Sequence, residues 1–135
     1  SRQEIREEAK RLEGDPKIRE RRRHIQRQIA LQRMMQRVPR ATVVITNPTE
    51  YAVALEYDRE KMQAPTLAAK GVDLLALRIR EVAAEHGVPI VQRPEVARAI
   101  YRSCEVGQPI PYELYQAVAE ILAYVYRLKG SAAVA

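Results

Sequence analysis

Five consecutive β-branched residues, Thr42-Val43-Val44-Ile45-Thr46, constrain this chain more than any other stretch in it. Two heavy atoms on each Cβ leave few rotamers in a helix and pack well on a pleated surface, so the run reads as a buried strand. Asn47-Pro48 stops it, because Pro48 has no N–H for a ladder bond and restricts the residue before it. Tyr51 to Tyr57 is again apolar up to Asp58 and reads as a second strand. Strand, tight turn, strand is the nucleus on which the rest must pack.

Downstream, Asp58 to Pro65 reads as a loop, and Thr66 to Lys70 as a short strand stopped by Gly71. From Asp73 to His86, Leu74, Leu75, Ile79 and Val82 recur at helical spacing, with Gly87 and Pro89 as stop signals. Val88 to Gln92 fits a buried strand, and with the third strand and the helix it would form a right-handed crossover unit. Pro94 starts a short helix with Val96, Ile100 and Tyr101 on one side. Gln108 to Pro111 is a connector. Leu114, Val118, Ile121, Leu122, Val125 and Leu128 mark a last amphipathic helix ending before Gly130. The expected class is α/β, a single compact domain over residues 41–129 with about four strands and three or four surrounding helices. Residues 130–135 read as a disordered tail.

With 135 residues and 47% hydrophobic content, one domain plus an appendage is expected. The appendage is a long basic helical arm over residues 1–40. It is rich in helix formers and interrupted at Gly14-Asp15-Pro16, where Asp15 can cap a second helix starting at Pro16. Two helical pieces or one kinked helix are both compatible with that. Ile18, Ile25, Ile29 and Met34 are sparse among arginines, so the arm has little apolar face and should be exposed. It carries 13 Lys and Arg against 6 Asp and Glu, whereas residues 41–135 carry 10 against 11. The basic excess points to an anionic partner for the arm, either nucleic acid or the anionic cytoplasmic face of a membrane. Interspersed glutamates and the lack of aromatics in the arm weigh against a nucleic-acid-binding module.

The single cysteine, Cys104, has no internal disulfide partner, and His24 and His86 offer no zinc-ligand spacing. A reducing, cytoplasmic setting follows. No run approaches the roughly 20 apolar residues of a membrane-spanning helix. The start Ser1-Arg2-Gln3-Glu4 lacks both a methionine and a signal-peptide core, which suits a segment of something longer. Glycine loops for phosphates, dinucleotide fingerprints and nucleophile elbows are missing, so an ordinary enzyme is not expected, and no cofactor is implied.

Chemistry concentrates in the turn Asn47-Pro48-Thr49-Glu50. Because Pro48 has no N–H, the usual succinimide route through the following backbone nitrogen is closed. The Asn47 side-chain nitrogen can instead attack its own main-chain carbonyl, closing a five-membered ring and expelling the Pro48 nitrogen. An amide is a poor nucleophile, so the step needs held geometry, donors to the tetrahedral oxygen and a proton carrier. Backbone N–H groups or the Thr49 hydroxyl are candidate donors, and Glu50 is the titratable group of the turn. Such a domain acts at most once, on itself. Of the remaining residues, Lys70 and Asp73 could form an exposed charged patch for partners, or an ordinary helix start with Asp73 at the positive dipole end. His86 reads as a helix-end residue, Cys104 as a packed small residue, and Tyr112, Tyr115, Tyr124 and Tyr126 as core and rim packing.

Val43-Val44-Ile45-Thr46-Asn47-Pro48-Thr49 with Tyr51-Ala52-Val53-Ala54-Leu55 closely resembles the cleavage region of the FlhB/YscU family of type III export switch proteins. Tyr57-Asp58, Ala64-Pro65, Ala69-Lys70-Gly71, Val88-Pro89, Ala97-Arg98-Ala99-Ile100-Tyr101 and Ile110-Pro111 resemble its flagellar branch, and Glu13-Gly14-Asp15-Pro16 extends the likeness into the arm. The resemblance implies the cytoplasmic domain of a bacterial inner-membrane protein whose transmembrane helices would precede Ser1. It also implies self-cleavage between Asn47 and Pro48 and control of the export switch from rod and hook to filament subunits. The implied partners are other export-gate components, a secreted hook-length ruler and the export substrates, with no specific nucleic acid; an injectisome switch is the alternative within the family. The family motif is Asn-Pro-Thr-His, and Glu50 stands at its fourth position. Near neutral pH a carboxylate only accepts, whereas an imidazole both accepts and gives, so slow or conditional cleavage is expected.

Overall fold

The computed structural model describes residues 1–48 and 50–134, with residues 12, 13 and 131–134 described at the level of the backbone. The chain divides into two compact units, Ser1–Arg33 and Met34–Ala135.

In the first unit, α1 (Arg2–Gly14) and the start of α2 (Pro16–Arg37) are separate helices. The break lies at Asp15, whose Oδ1 accepts the Lys17 N–H at 2.9 Å. Arg19 Nη2 donates to the Gly14 carbonyl at 2.8 Å, so each side of the break has one of its orphaned helix-end groups satisfied locally. No residue of α2 is buried, as its sparse apolar positions led us to expect.

The second unit begins with the last turn of α2, because Met34 and Met35 pack beside buried Val38 and Ala41. Then come β1 (Val43–Asn47), β2 (Tyr51–Glu56), β3 (Thr66–Val72), α3 (Asp73–Glu85), β4 (Ile90–Gln92), α4 (Pro94–Ser103) and α5 (Tyr115–Val134). The four strands form one sheet in the order β3-β2-β1-β4. β1 and β2 are antiparallel with Asn47 opposite Tyr51, and β1 and β4 are parallel.

Strand alternation sorts two cores onto the two faces. Val43, Ile45, Val53 and Leu55 join Ile100, Val118, Ile121 and Val125 of α4 and α5. Val44, Ala52 and Ala54 join Ala76, Ile79 and Ala83 of α3. The second face is built largely from alanine, which lets α3 approach the sheet closely.

Several details differ from the sequence-based expectation. Leu74 is 82% exposed, and the buried face of α3 is Ala76, Ile79, Val82 and Ala83. β3 continues through Gly71, which sits opposite Ala52. β4 is a three-residue edge strand with Ile90 40% exposed, not a buried one. The expected crossover is present in that β3 and β4 are parallel strands of one sheet joined through α3, but they occupy its opposite edges with two strands between them. α5 runs through Gly130 to Val134 where a stop was expected. Tyr112 is 79% exposed, and Tyr115 and Tyr124 are exposed as well, so these rings are not core. Among the described residues no helix is long and apolar enough to cross a membrane.

Candidate self-cleavage site

Asn47 is the last residue of β1 and Tyr51 the first of β2, so sheet pairing clamps both ends of the intervening turn. Asn47 and Pro48 are half-buried, and Glu50 is exposed. Thr49, the candidate hydroxyl donor, lies outside the described residues. The Glu50 N–H donates to the Asn47 carbonyl at 3.1 Å. That carbonyl is the group the Asn47 side chain would attack, and its oxygen is where negative charge would develop. A backbone donor is thus already in place, within the range of a normal hydrogen bond.

Further contacts hold the turn from outside. The Glu50 carbonyl accepts the Asp73 N–H at 3.0 Å, and the Thr46 carbonyl accepts the Arg93 N–H at 3.0 Å. Asp73 has φ 51°, in the left-handed region that Asp tolerates better than most side chains, so the chain bends sharply from β3 into α3 beside the turn. Arg80, on α3, donates through Nη1 to the Pro48 carbonyl. Sequence reasoning missed Arg80. In the sequence it is indistinguishable from Arg78, which lies near Glu81 at 3.7 Å with its side chain 61% exposed.

Lys70 and Asp73 do not form one exposed patch. The Lys70 side chain is 18% exposed, and its Nζ donates to the Tyr101 and Cys104 carbonyls at 3.0 and 2.9 Å. It also lies 4.8 Å from the Tyr101 ring centroid. The ammonium therefore caps the C-terminal end of α4, where the dipole and free carbonyls favour a cation. Asp73 is exposed at the start of α3, on the other side of the sheet.

Cys104 is buried, and burial pushes its thiol up, with Lys70 opposing and Glu105 adding to the shift. That is the opposite of an activated nucleophile. His86 follows α3 as its C-cap, with Nδ1 2.9 Å from the Val82 carbonyl. Among the described residues no three His, Cys, Asp or Glu side chains come together to hold a metal ion.

Comparison with known proteins identifies the family and the fold of the chain. The model of the FlhB HrpN YscU SpaS family matches residues 1–125. The flagellar biosynthetic protein FlhB of Salmonella typhimurium is 57% identical over 129 residues, which is 96% of this chain and 34% of that protein. FlhB of Bacillus subtilis is 54% identical over 129 residues, 96% of this chain and 36% of that protein. The chain thus spans about a third of the length of these relatives. The crystal structure of the cytoplasmic domain of FlhB from Shewanella putrefaciens superposes with a TM-score of 0.70 at 48% identity, covering 73% of this chain and 76% of that one.

Proposed function

The chain belongs to the FlhB HrpN YscU SpaS family, and from that footing we propose that it is the switch domain of a flagellar type III export gate, which cleaves itself once between Asn47 and Pro48. The observation that carries the reading is the Glu50 N–H held 3.1 Å from the Asn47 carbonyl oxygen. The Asn47 Nδ2 attacks the Asn47 carbonyl carbon, and the tetrahedral oxygen keeps the Glu50 N–H as donor. The bond to the Pro48 nitrogen then breaks. One proton moves from Nδ2 to that nitrogen, leaving a C-terminal succinimide on Asn47 and a proline amino terminus. Atoms balance without cofactor, metal or external substrate. Glu50 is the nearby carboxylate that accepts the amide proton, and Thr49 is the second donor the sequence offers.

In this reading a membrane-embedded part precedes Ser1, the arm leads from it, and the second unit sits at the cytoplasmic face of the inner membrane. Cleavage frees the turn, and the domain then changes export from rod and hook subunits to filament subunits in response to a secreted hook-length ruler. Its partners are the other gate components and the substrates. An open groove of about 330 Å³ supports substrate contact, since Ala64, Pro65, Ala119 and Leu122 make its walls apolar enough for a short apolar segment.

Intact-mass measurement over time tests the chemistry, with chain shortened to residue 47 as the expected product and Asn47→Ala remaining whole. Joined to its membrane part in a motile cell, Asn47→Ala should also block the hook-to-filament change. Normal switching in that strain sinks the proposed role of the turn.

A further inference from the structure

We propose that Arg80 is the positioning residue of this turn: its guanidinium grips the Pro48 carbonyl and immobilises the leaving side of the Asn47–Pro48 bond. The inference rests on the self-cleavage reading and adds a residue that the turn itself does not contain.

Cleavage needs the Asn47 side chain to swing onto a carbonyl that does not move away. Pairing opposite Tyr51 in the sheet holds the backbone of Asn47. At Pro48 the ring locks φ, so the one soft backbone torsion left on the leaving side is ψ, which sets where the Pro48 carbonyl points. Arg80 Nη1 bonds to that carbonyl. The Glu50 N–H holds the carbonyl on the other side of the Pro48 nitrogen. The leaving nitrogen is thus bracketed between two held carbonyls, and the torsions that stay free are those of the Asn47 side chain that must move.

Arg80 is set apart from its neighbours by what it gives up. Its Nε is buried and has no hydrogen-bond partner among the described residues. A buried donor left unpaired is unfavourable, and a guanidinium on a surface helix ordinarily avoids it by reaching water, as Arg78 does two residues earlier. Helix α3 delivers Arg80 because Ile79 and Ala83 are buried against the sheet on its inner face. The guanidinium also places a positive charge beside the peptide on which negative charge develops.

The test uses the full 135-residue chain and a Glu50→His parent, followed by intact mass, with thermal unfolding measured alongside. Arg80→Gln is expected to slow cleavage on the order of 10- to 100-fold at nearly unchanged melting temperature, the loss typical of a misplaced reacting group. Arg80→Lys should recover part of the rate. Millimolar methylguanidinium should recover Arg80→Ala, whereas methylammonium at the same concentration should recover it less. Cleavage of Arg80→Gln within twofold of the parent overturns the proposal alone. So does slowing that tracks a fall in melting temperature and that neither Arg80→Lys nor methylguanidinium repairs. If both parents stay whole over the same period, the self-cleavage reading itself fails, and this one with it.

Discussion

Glu50 stands at the position where the family resemblance implies a histidine, and its side chain is exposed while its own N–H holds the Asn47 carbonyl. On the proposed self-cleavage reading the attacked carbonyl is already held, and proton transfer is the weaker half of the reaction. Glu50→His should raise the cleavage rate, and because only the neutral imidazole accepts the amide proton, the rate should climb with pH through about 6.5 and then level. Intact-mass rates between pH 5.5 and 8 check this; a variant no faster than the parent at pH 7.5 removes the acid/base role of this position. Asn47, Pro48 and Glu50 were all legible in the sequence, because a turn's chemistry is written in consecutive residues. Arg80 was not, and Lys70 was read as part of an exposed patch rather than as the cation capping α4. The first meets the turn from 32 positions away, and the second reaches carbonyls 31 and 34 positions away.

Helix α3 was legible from its spacing, but the face it buries was not, since Leu74 points to water while alanines face the sheet. Its closeness to β3 explains Gly71. A Cβ there would lie 2.6 Å from Leu75 Cγ and 2.9 Å from Leu75 Cβ, the root of that side chain rather than its flexible end. Gly71→Ala must push α3 away from the sheet, at a cost of about 1–3 kcal/mol, read as a lower urea midpoint. An unchanged midpoint would show that the helix start yields freely. Gly71 was misread as a stop because a glycine that ends a strand and one that admits a helix look alike in a sequence. Gly130 misled for a different reason: one glycine costs a helix only about 1 kcal/mol, too little to halt a run continuing into Ser131-Ala132-Ala133. β4 looked buried because a short apolar run does not say whether it will be central or at an edge.

Across the whole second unit, the proposed break falls between two fragments that the sheet interleaves. β1 ends at Asn47 and lies between β2 and β4, both of which follow the break. Five residue pairs join it to β2 and three to β4, and Val43, Val44 and Ile45 are wholly buried. Burying each such side chain is worth roughly 1.5–3 kcal/mol, so the cleaved halves should elute together from a size-exclusion column and part only in denaturant. Separate elution under native conditions would contradict this topology. By itself the sequence determined the element types, the hairpin around Asn47-Pro48 and the family likeness, because propensity, periodicity and turn chemistry act over a few neighbouring residues. Only the tertiary structure decided which strand is central, which face of α3 is inside and which arginine reaches the Pro48 carbonyl, because those depend on pairings between residues tens of positions apart.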